Sequence, residues 1–210
     1  TAHVIGQIRF GPDGALYVAN GDGSQNTSVN GRAVDPNSLA GKILRINPIN
    51  GQGYANNPFY DGDPNSNRSK VFAMGMRNPF RFTFSPFTGE LFAADVGNDV
   101  WEEINRGGAG SNFGWPCFEG PDQAAGHDIC QPIFAGAVPS TFAAYTYDHS
   151  EGKGAAIGGA FLLSRTYPGQ YRGAYFYSDF NKGLIQYLTF SGGVRDRTFA
   201  TGAEGVVQIE

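Results

Sequence analysis

Hydrophobic and polar positions in this chain alternate over short spans, and no window shows a sustained helical period. The clearest alternation is Phe80-Arg81-Phe82-Thr83-Phe84. A Pro/Gly turn over residues 85–89 separates it from a second run over 90–94, and a polar loop covers 95–99. Period-two alternation broken by turn residues predicts a β-hairpin. The same order occurs earlier. Ile8-Arg9-Phe10 leads through Gly11-Pro12-Asp13-Gly14 into Ala15-Leu16-Tyr17-Val18-Ala19 and the polar Asn20-Gly21-Asp22-Gly23. A third, partial copy is Gly173-Ala174-Tyr175-Phe176-Tyr177 followed by Ser178-Asp179. A further strand is predicted after each loop, over residues 42–46, 101–105 and 184–188, and an apolar run begins at Val71. Residues 205–210 read as the start of another strand.

Taking Tyr17, Phe92 and Phe176 as equivalent gives a repeat of roughly 80 residues, long for a propeller blade of about 40–50. Insertions are therefore expected at 23–40, 47–70 and 117–141. Repeated antiparallel units that each end in an acidic or Gly-rich loop suit a β-propeller, whose loops gather around a central channel. Three units cannot close a ring that needs at least about four blades. The expectation is an all-β chain, one domain over residues 1–210, forming part of a larger propeller and incomplete at both ends.

Composition agrees with short strands and many turns. Among 210 residues there are 31 Gly, 12 Pro, 17 Phe and 10 Tyr, with charged residues at 16%. The net charge of −4 leaves no basic patch for nucleic acid. No apolar run approaches the roughly 18 residues of a membrane span, and no stretch reads as a signal peptide. The start at Thr1 suggests a mature or trimmed form, or a fragment. Cys117 and Cys130 flank a short loop without zinc-ligand spacing. A disulfide there would contribute roughly 3 kcal/mol, with two buried thiols the alternative. Asn26-Thr27-Ser28 and Asn67-Arg68-Ser69 are glycosylation sequons. Bridge and sequons together point to a secreted, extracellular or periplasmic protein.

The chemistry centres on Arg77-Asn78-Pro79. A guanidinium and a carboxamide at a strand end, fixed by proline, form a planar donor set suited to carboxylate or quinone oxygens. An arginine closing a corner on nearby carbonyls is the alternative.

In order along the chain stand His3-Val4-Ile5-Gly6, the Ile8 to Gly14 run, Leu39-Ala40-Gly41-Lys42-Ile43-Leu44-Arg45 and Gly75-Met76-Arg77-Asn78-Pro79. Residues 97–105, Asn112-Phe113-Gly114-Trp115-Pro116 and Tyr171-Arg172-Gly173-Ala174-Tyr175-Phe176 follow. This ordered set resembles the glucose/sorbosone dehydrogenase family, six-bladed propellers that use pyrroloquinoline quinone (PQQ) and calcium to oxidise sugars. Tyr147-Asp148-His149 and Gly158-Gly159 also resemble the branch of hedgehog-interacting proteins, which shares the propeller and is not known for sugar oxidation.

The resemblance implies roles. His3 takes the place of the base that accepts the proton of the sugar C1 hydroxyl, work suited to an imidazole. Arg77 and Asn78 match the pair at the quinone oxygens. Gly97 and Asn98 match backbone ligands of the cofactor's calcium. Glu103 and the Phe113 carbonyl match a second calcium site, with Asp122 a looser candidate. Phe80-Arg81 departs from the family's usual Gln-Gly, and the arginines that clamp the cofactor's carboxylates come later than residue 210. His127 and His149 read as surface residues, and Asp95, Asp99 and Glu102 as loop-solvating acids. Trp115 reads as a core anchor. Two functions remain open. One is a PQQ- and calcium-dependent aldose dehydrogenase. The other is a non-catalytic module that binds glycans or proteins or serves an extracellular assembly. In both cases the rest of the propeller, or a partner chain, is expected alongside.

Overall fold

The computed structural model describes residues 3–23, 31–124 and 128–210. Three four-stranded antiparallel sheets carry the chain. The first holds β1 (Ile5–Phe10), β2 (Leu16–Asn20), β3 (Lys42–Ile46) and β4 (Val71–Met74) in that order. The second begins with β5 (Pro79–Phe84), β6 (Leu91–Asp95) and β7 (Trp101–Gly107). An excursion then forms a two-stranded ribbon, β8 (Phe118–Glu119) with β9 (Asp122–Gln123), and a one-turn helix, α1 (Gln131–Phe134). The chain returns as β10 (Tyr145–Asp148), which adds to the far side of β7. The third sheet is β11 (Ala156–Phe161), β12 (Tyr175–Asp179), β13 (Leu184–Thr189) and β14 (Arg195–Thr201). The third unit, expected to be partial, is thus a full four-stranded sheet. Residues 205–210, expected as a strand, are not one. Among the described residues no helix is long and apolar enough to cross a membrane.

The sheets stand side by side like blades, with β5 between β1 and β11. Two glycines permit this approach. A Cβ on Gly6 would strike the Pro79 and Phe80 backbone, and one on Gly158 would strike the Arg81 carbonyl. Arg81 Nη1 donates to Gly6 O at 2.5 Å, and Phe82 N–H donates to Gln7 Oε1 at 2.6 Å, joining β5 to β1.

The core lies between the blades. Because successive side chains in a strand face opposite ways, the apolar run in β6 feeds two clusters. Leu91 and Ala93 pack with Tyr17, Ile43, Phe82 and Phe113 toward the first sheet. Phe92 and Ala94 pack with Ile104, Tyr175, Tyr177 and Leu188 toward the third. A sheet sandwiched between others reads as a continuous apolar stretch for this reason.

The insertions are tied down by polar contacts. Lys42 Nζ, fully buried, donates to the carbonyls of Arg32, Ala33 and Ala40 at 2.7–2.9 Å. Asn57 Nδ2 donates to Arg45 O and Ser69 O at 2.8 Å each, pinning the second insertion to β3. Cys117 and Cys130 are joined as a disulfide with their Cα atoms 5.3 Å apart. Around it Ile133, Val34, Phe118 and Phe134 form a small apolar cluster.

Candidate functional site

The loops that leave β2 and β6 and the corner that enters β5 meet at one end of the first two blades. Asp22, fully buried just beyond β2, is their hub. Its Oδ1 lies 2.7 Å from His3 Nδ1, and its Oδ2 accepts from Trp115 Nε1 at 3.0 Å. Its backbone N–H donates to Arg77 O at 2.8 Å, and its carbonyl accepts from Arg32 Nη2 at 2.8 Å. His3 sits at φ 52, a region that side-chain-bearing residues rarely occupy. The Gly23 N–H to His3 O bond (3.1 Å) and the Gly21 backbone pressed against His3 hold it there. Its side chain is 11% exposed, so one imidazole edge is fixed by the acid while the ring keeps a route to solvent. With Nδ1–H donating to Asp22, Nε2 is left as the acceptor.

Trp115 reaches Asp22 because residues 111–115 are laced to the end of β4. Met74 N–H donates to Ser111 O, Phe113 N–H to Met74 O and Trp115 N–H to Gly75 O, each at 2.9 Å. The indole is buried, as a core anchor would be, yet its N–H also serves the site.

The Arg77-Asn78 corner is shaped by Asp95, the last residue of β6. Its carboxylate accepts the N–H of Arg77 at 2.9 Å and of Asn78 at 2.5 Å. The Arg77 guanidinium donates to Val96 O (3.0 Å), Gly97 O (2.6 Å) and Asn98 Oδ1 (3.1 Å) and lies 5.7 Å from the Trp115 ring centroid. The Asn78 carboxamide makes no hydrogen bond within the described residues. Gly97 is required by contact, since a Cβ there would collide with the Trp101 carbonyl.

Two glutamates hold the 97–101 loop from below. Glu102, fully buried, accepts from Gly97 N–H (3.3 Å) and Ala156 N–H (2.8 Å) and faces His149 Nε2 at 2.9 Å. Burial raises its pKa above the usual carboxylate range. His149, expected at the surface, has a side chain only 9% exposed, and its Nδ1 has no partner. Glu119 receives the amides of residues 98–101. Asp95 and Glu102, expected as loop-solvating acids, are both buried, while Asp99 is exposed. His127 and the Asn26 sequon lie outside the described residues.

Of the residues singled out from the sequence, His3, Arg77, Asn78, Gly97 and Asn98 form this one connected site. Glu103 lies beside it, paired across the ladder with Asp95. Its carboxylate accepts Gly120 N–H at 2.7 Å and Asn105 Nδ2 at 3.2 Å. Burial first, then neighbouring acids, pushes Glu103 up to about 7, and burial with Glu103 nearby pushes Asp95 well above its usual range. Asn105 Oδ1 is buried with no partner. Buried oxygens short of compensating donors suit a hard cation such as calcium. Among the described residues, however, no three His, Cys, Asp or Glu side chains converge as a metal cluster. Phe113 is a core residue whose ring packs with Tyr17 and Phe82, so only its backbone carbonyl could serve. Asp122 is exposed, and its carboxylate accepts the Trp101 indole N–H at 2.8 Å. Asp22 and Glu119 are not singled out by the sequence, and Asp95 reads there only as a loop-solvating acid. The one trace in the sequence is an acid at or just after the end of each second strand, at Asp22, Asp95 and Asp179, and nothing in the sequence marks it as buried.

A family model described as Glucose / Sorbosone dehydrogenase matches residues 1–206. The HIPL2 protein of Arabidopsis thaliana is 37% identical over 201 residues, 83% of this chain and 28% of that protein. Quinoprotein glucose dehydrogenase B of Acinetobacter calcoaceticus is 29% identical over 142 residues, 60% of this chain and 28% of that protein. The PQQ-bound aldose sugar dehydrogenase of Streptomyces coelicolor superposes with a TM-score of 0.70 at 25% identity, over 99% of this chain and 52% of that one. The chain thus spans 28% of the length of these two curated relatives and 52% of the solved structure.

Proposed function

Because this chain belongs to the glucose/sorbosone dehydrogenase family, we propose that it carries the base and part of the quinone pocket of a PQQ-dependent aldose dehydrogenase. The His3–Asp22 pair beside the Arg77-Asn78 corner is the observation that supports this reading most. PQQ, when bound, would supply the acceptor for two electrons and a proton. His3 Nε2 would take the proton of the sugar C1 hydroxyl. Asp22 fixes the tautomer that leaves Nε2 free and stabilises the imidazolium that forms. Trp115 restrains the other carboxylate oxygen and closes that side of the pair to water. The Arg77 guanidinium and the Asn78 carboxamide would hold cofactor oxygens and favour negative charge there. Calcium would be held by the Gly97 and Asn98 carbonyls, and a second ion by Glu103 and the Phe113 carbonyl. The disulfide and the exposed Asn67 sequon support a proposed secreted, extracellular or periplasmic location, with glycosylation proposed at Asn67.

Reconstitution of the full-length protein with PQQ and calcium, followed by dye reduction on several aldoses, tests the reading. Turnover is expected, falling about a hundredfold or more in His3→Ala. Tight PQQ binding without turnover on any aldose would overturn it. The second reading is a non-catalytic extracellular module for glycans or proteins. It is favoured by the Arabidopsis HIPL2 protein matching a larger share of the chain, at higher identity, than the quinoprotein does.

A further inference from the structure

Four consecutive amides converge on one carboxylate oxygen. Glu119 Oε1 accepts the N–H of Asn98 and Asp99 at 2.8 Å, of Val100 at 3.0 Å and of Trp101 at 3.3 Å. Successive N–H groups turned to one point form an anion nest, and here the anion is a side chain of the same chain. The acceptors of the Arg77 guanidinium lie at the start of this loop, Val96 O and Gly97 O just before the gathered residues and Asn98 Oδ1 within them. Glu119 is itself held by the excursion after β7. It stands two residues from the bridged Cys117, within the β8–β9 ribbon, and the next residue's N–H is bonded to Glu103 at 2.7 Å. The ribbon and the loop are also joined by the bond from Trp101 Nε1 to Asp122.

We infer that Glu119 is a positioning residue, through which the disulfide-anchored excursion sets the Asn98–Trp101 loop and, by that loop, the direction of the Arg77 guanidinium. The inference deepens the proposed function and rests on Arg77 facing the quinone. Removing the carboxylate leaves four convergent amide dipoles facing an uncharged gap. The loop relaxes to hydrate them, and the three acceptors move with it. The His3–Asp22 pair, built from the residues just before β1 and the loop after β2, shares no hydrogen bond with Glu119 and keeps its geometry. The loss therefore falls chiefly on cofactor affinity and, through Arg77, to a smaller degree on turnover.

The test uses the full-length protein carrying Glu119→Ala or Glu119→Gln. Amide hydrogen exchange of residues 98–101 in the apoprotein should quicken in Glu119→Ala. The Gln carboxamide still offers an oxygen acceptor and should restore part of the protection. The Kd for PQQ should rise about tenfold in Glu119→Ala and less in Glu119→Gln, a larger change than that in kcat at saturating PQQ. Unchanged exchange in Glu119→Ala would overturn the inference. So would faster exchange with wild-type PQQ affinity, or a loss confined to kcat. If the wild-type protein binds no PQQ, the proposed function fails. The exchange data alone then decide whether Glu119 holds the loop.

Discussion

Asp22 fixes His3 from one side and receives Trp115 on the other, so its charge and its shape both matter. Asp22→Asn keeps the shape but offers the imidazole an amide, whose N–H would compete for the position of Nδ1–H and favour the wrong tautomer. Turnover in the full-length protein is expected to fall about a hundredfold or more, with PQQ affinity within a few fold. An equal loss in both would mean that Asp22 serves the pocket as a whole. Two arginines four residues apart give a second residue-scale contrast. Arg77 donates into the 96–98 loop beside Trp115, whereas Arg81 donates to Gly6 O and to Phe80 O (3.0 Å) and lies over the Phe80 ring. Arg77→Ala should weaken PQQ binding by on the order of ten- to a hundredfold, the worth of a charge-assisted bond of about 1.5–3 kcal/mol. Arg81→Ala should mainly loosen the β1–β5 contact, seen as a lower Tm, and equal affinity losses would sink this placement. His3 and Arg77 could be picked out because their motifs resemble a family's. Asp22 could not, since an acid flanked by glycines reads like any solvated turn until the fold buries it.

Each blade reuses one device at the level of elements, an acid closing its second strand or the loop just after it. Asp95 ends β6 and caps the corner entering β5. Asp179 ends β12 and accepts Ala155 N–H just before β11 (2.9 Å), together with the Tyr147 hydroxyl (2.6 Å). Asp22 follows β2 by two residues and meets His3 just before β1. The second strands were legible because they are buried on both faces and read as apolar runs. Strand β10 was not, because its partner β7 lies across the whole bridged excursion. Strand β14, an edge strand of mostly exposed residues, carries too little apolar periodicity to be read. The terminal stretch 205–210 has the alternation of a strand but forms no ladder. Phe92 is the hub of the joint between the second and third sheets, 5.0–5.4 Å from the rings of Phe161, Tyr175 and Phe190. Phe92→Ala should cost about 3–5 kcal/mol by denaturant titration of the full-length protein, and a loss under 1 kcal/mol would show that the joint repacks. The turn before β2 has a pH signature. Burial raises the Asp13 pKa, but the bonds from Arg45 Nε (2.7 Å) and Ala15 N–H (3.2 Å) outweigh it and leave it lowered. The stabilisation is present above the unfolded-state pKa of about 3.9 and is lost as pH falls through the lower folded value. Asp13→Asn should remove that part of the acid-side decline in Tm, and an unchanged decline would place its origin elsewhere.

Across the whole molecule, blade-like repetition could be read from the sequence, whereas what the repeats leave uncovered could not. Gln7 in β1 turns toward β5, so Ile8 and Phe10 alternate onto the opposite face, where they are 57% and 63% exposed. At the other side of the array, Tyr175 and Tyr177 face the second sheet. Phe176 therefore stacks outward with Tyr187 and Phe199, and Phe199 is 44% exposed. Both faces have the composition of surfaces meant to be covered. Between them lies the candidate site, its His3 at one end of the array and its cofactor corner one blade along. Water entering from the uncovered sides raises the local dielectric and weakens each contact to a bound anion. We propose, as the family resemblance implies, that arginines for the cofactor's carboxylates come from outside residues 1–210. Residues 1–210 produced as an isolated chain are therefore expected to show no PQQ-dependent dye reduction on aldoses under conditions where the full-length protein turns over. They should also expose apolar surface, read as dye binding or self-association, that the full-length protein lacks. Turnover by the isolated chain at a rate near that of the full-length protein would show that three blades suffice and that the two open faces play no part in the chemistry.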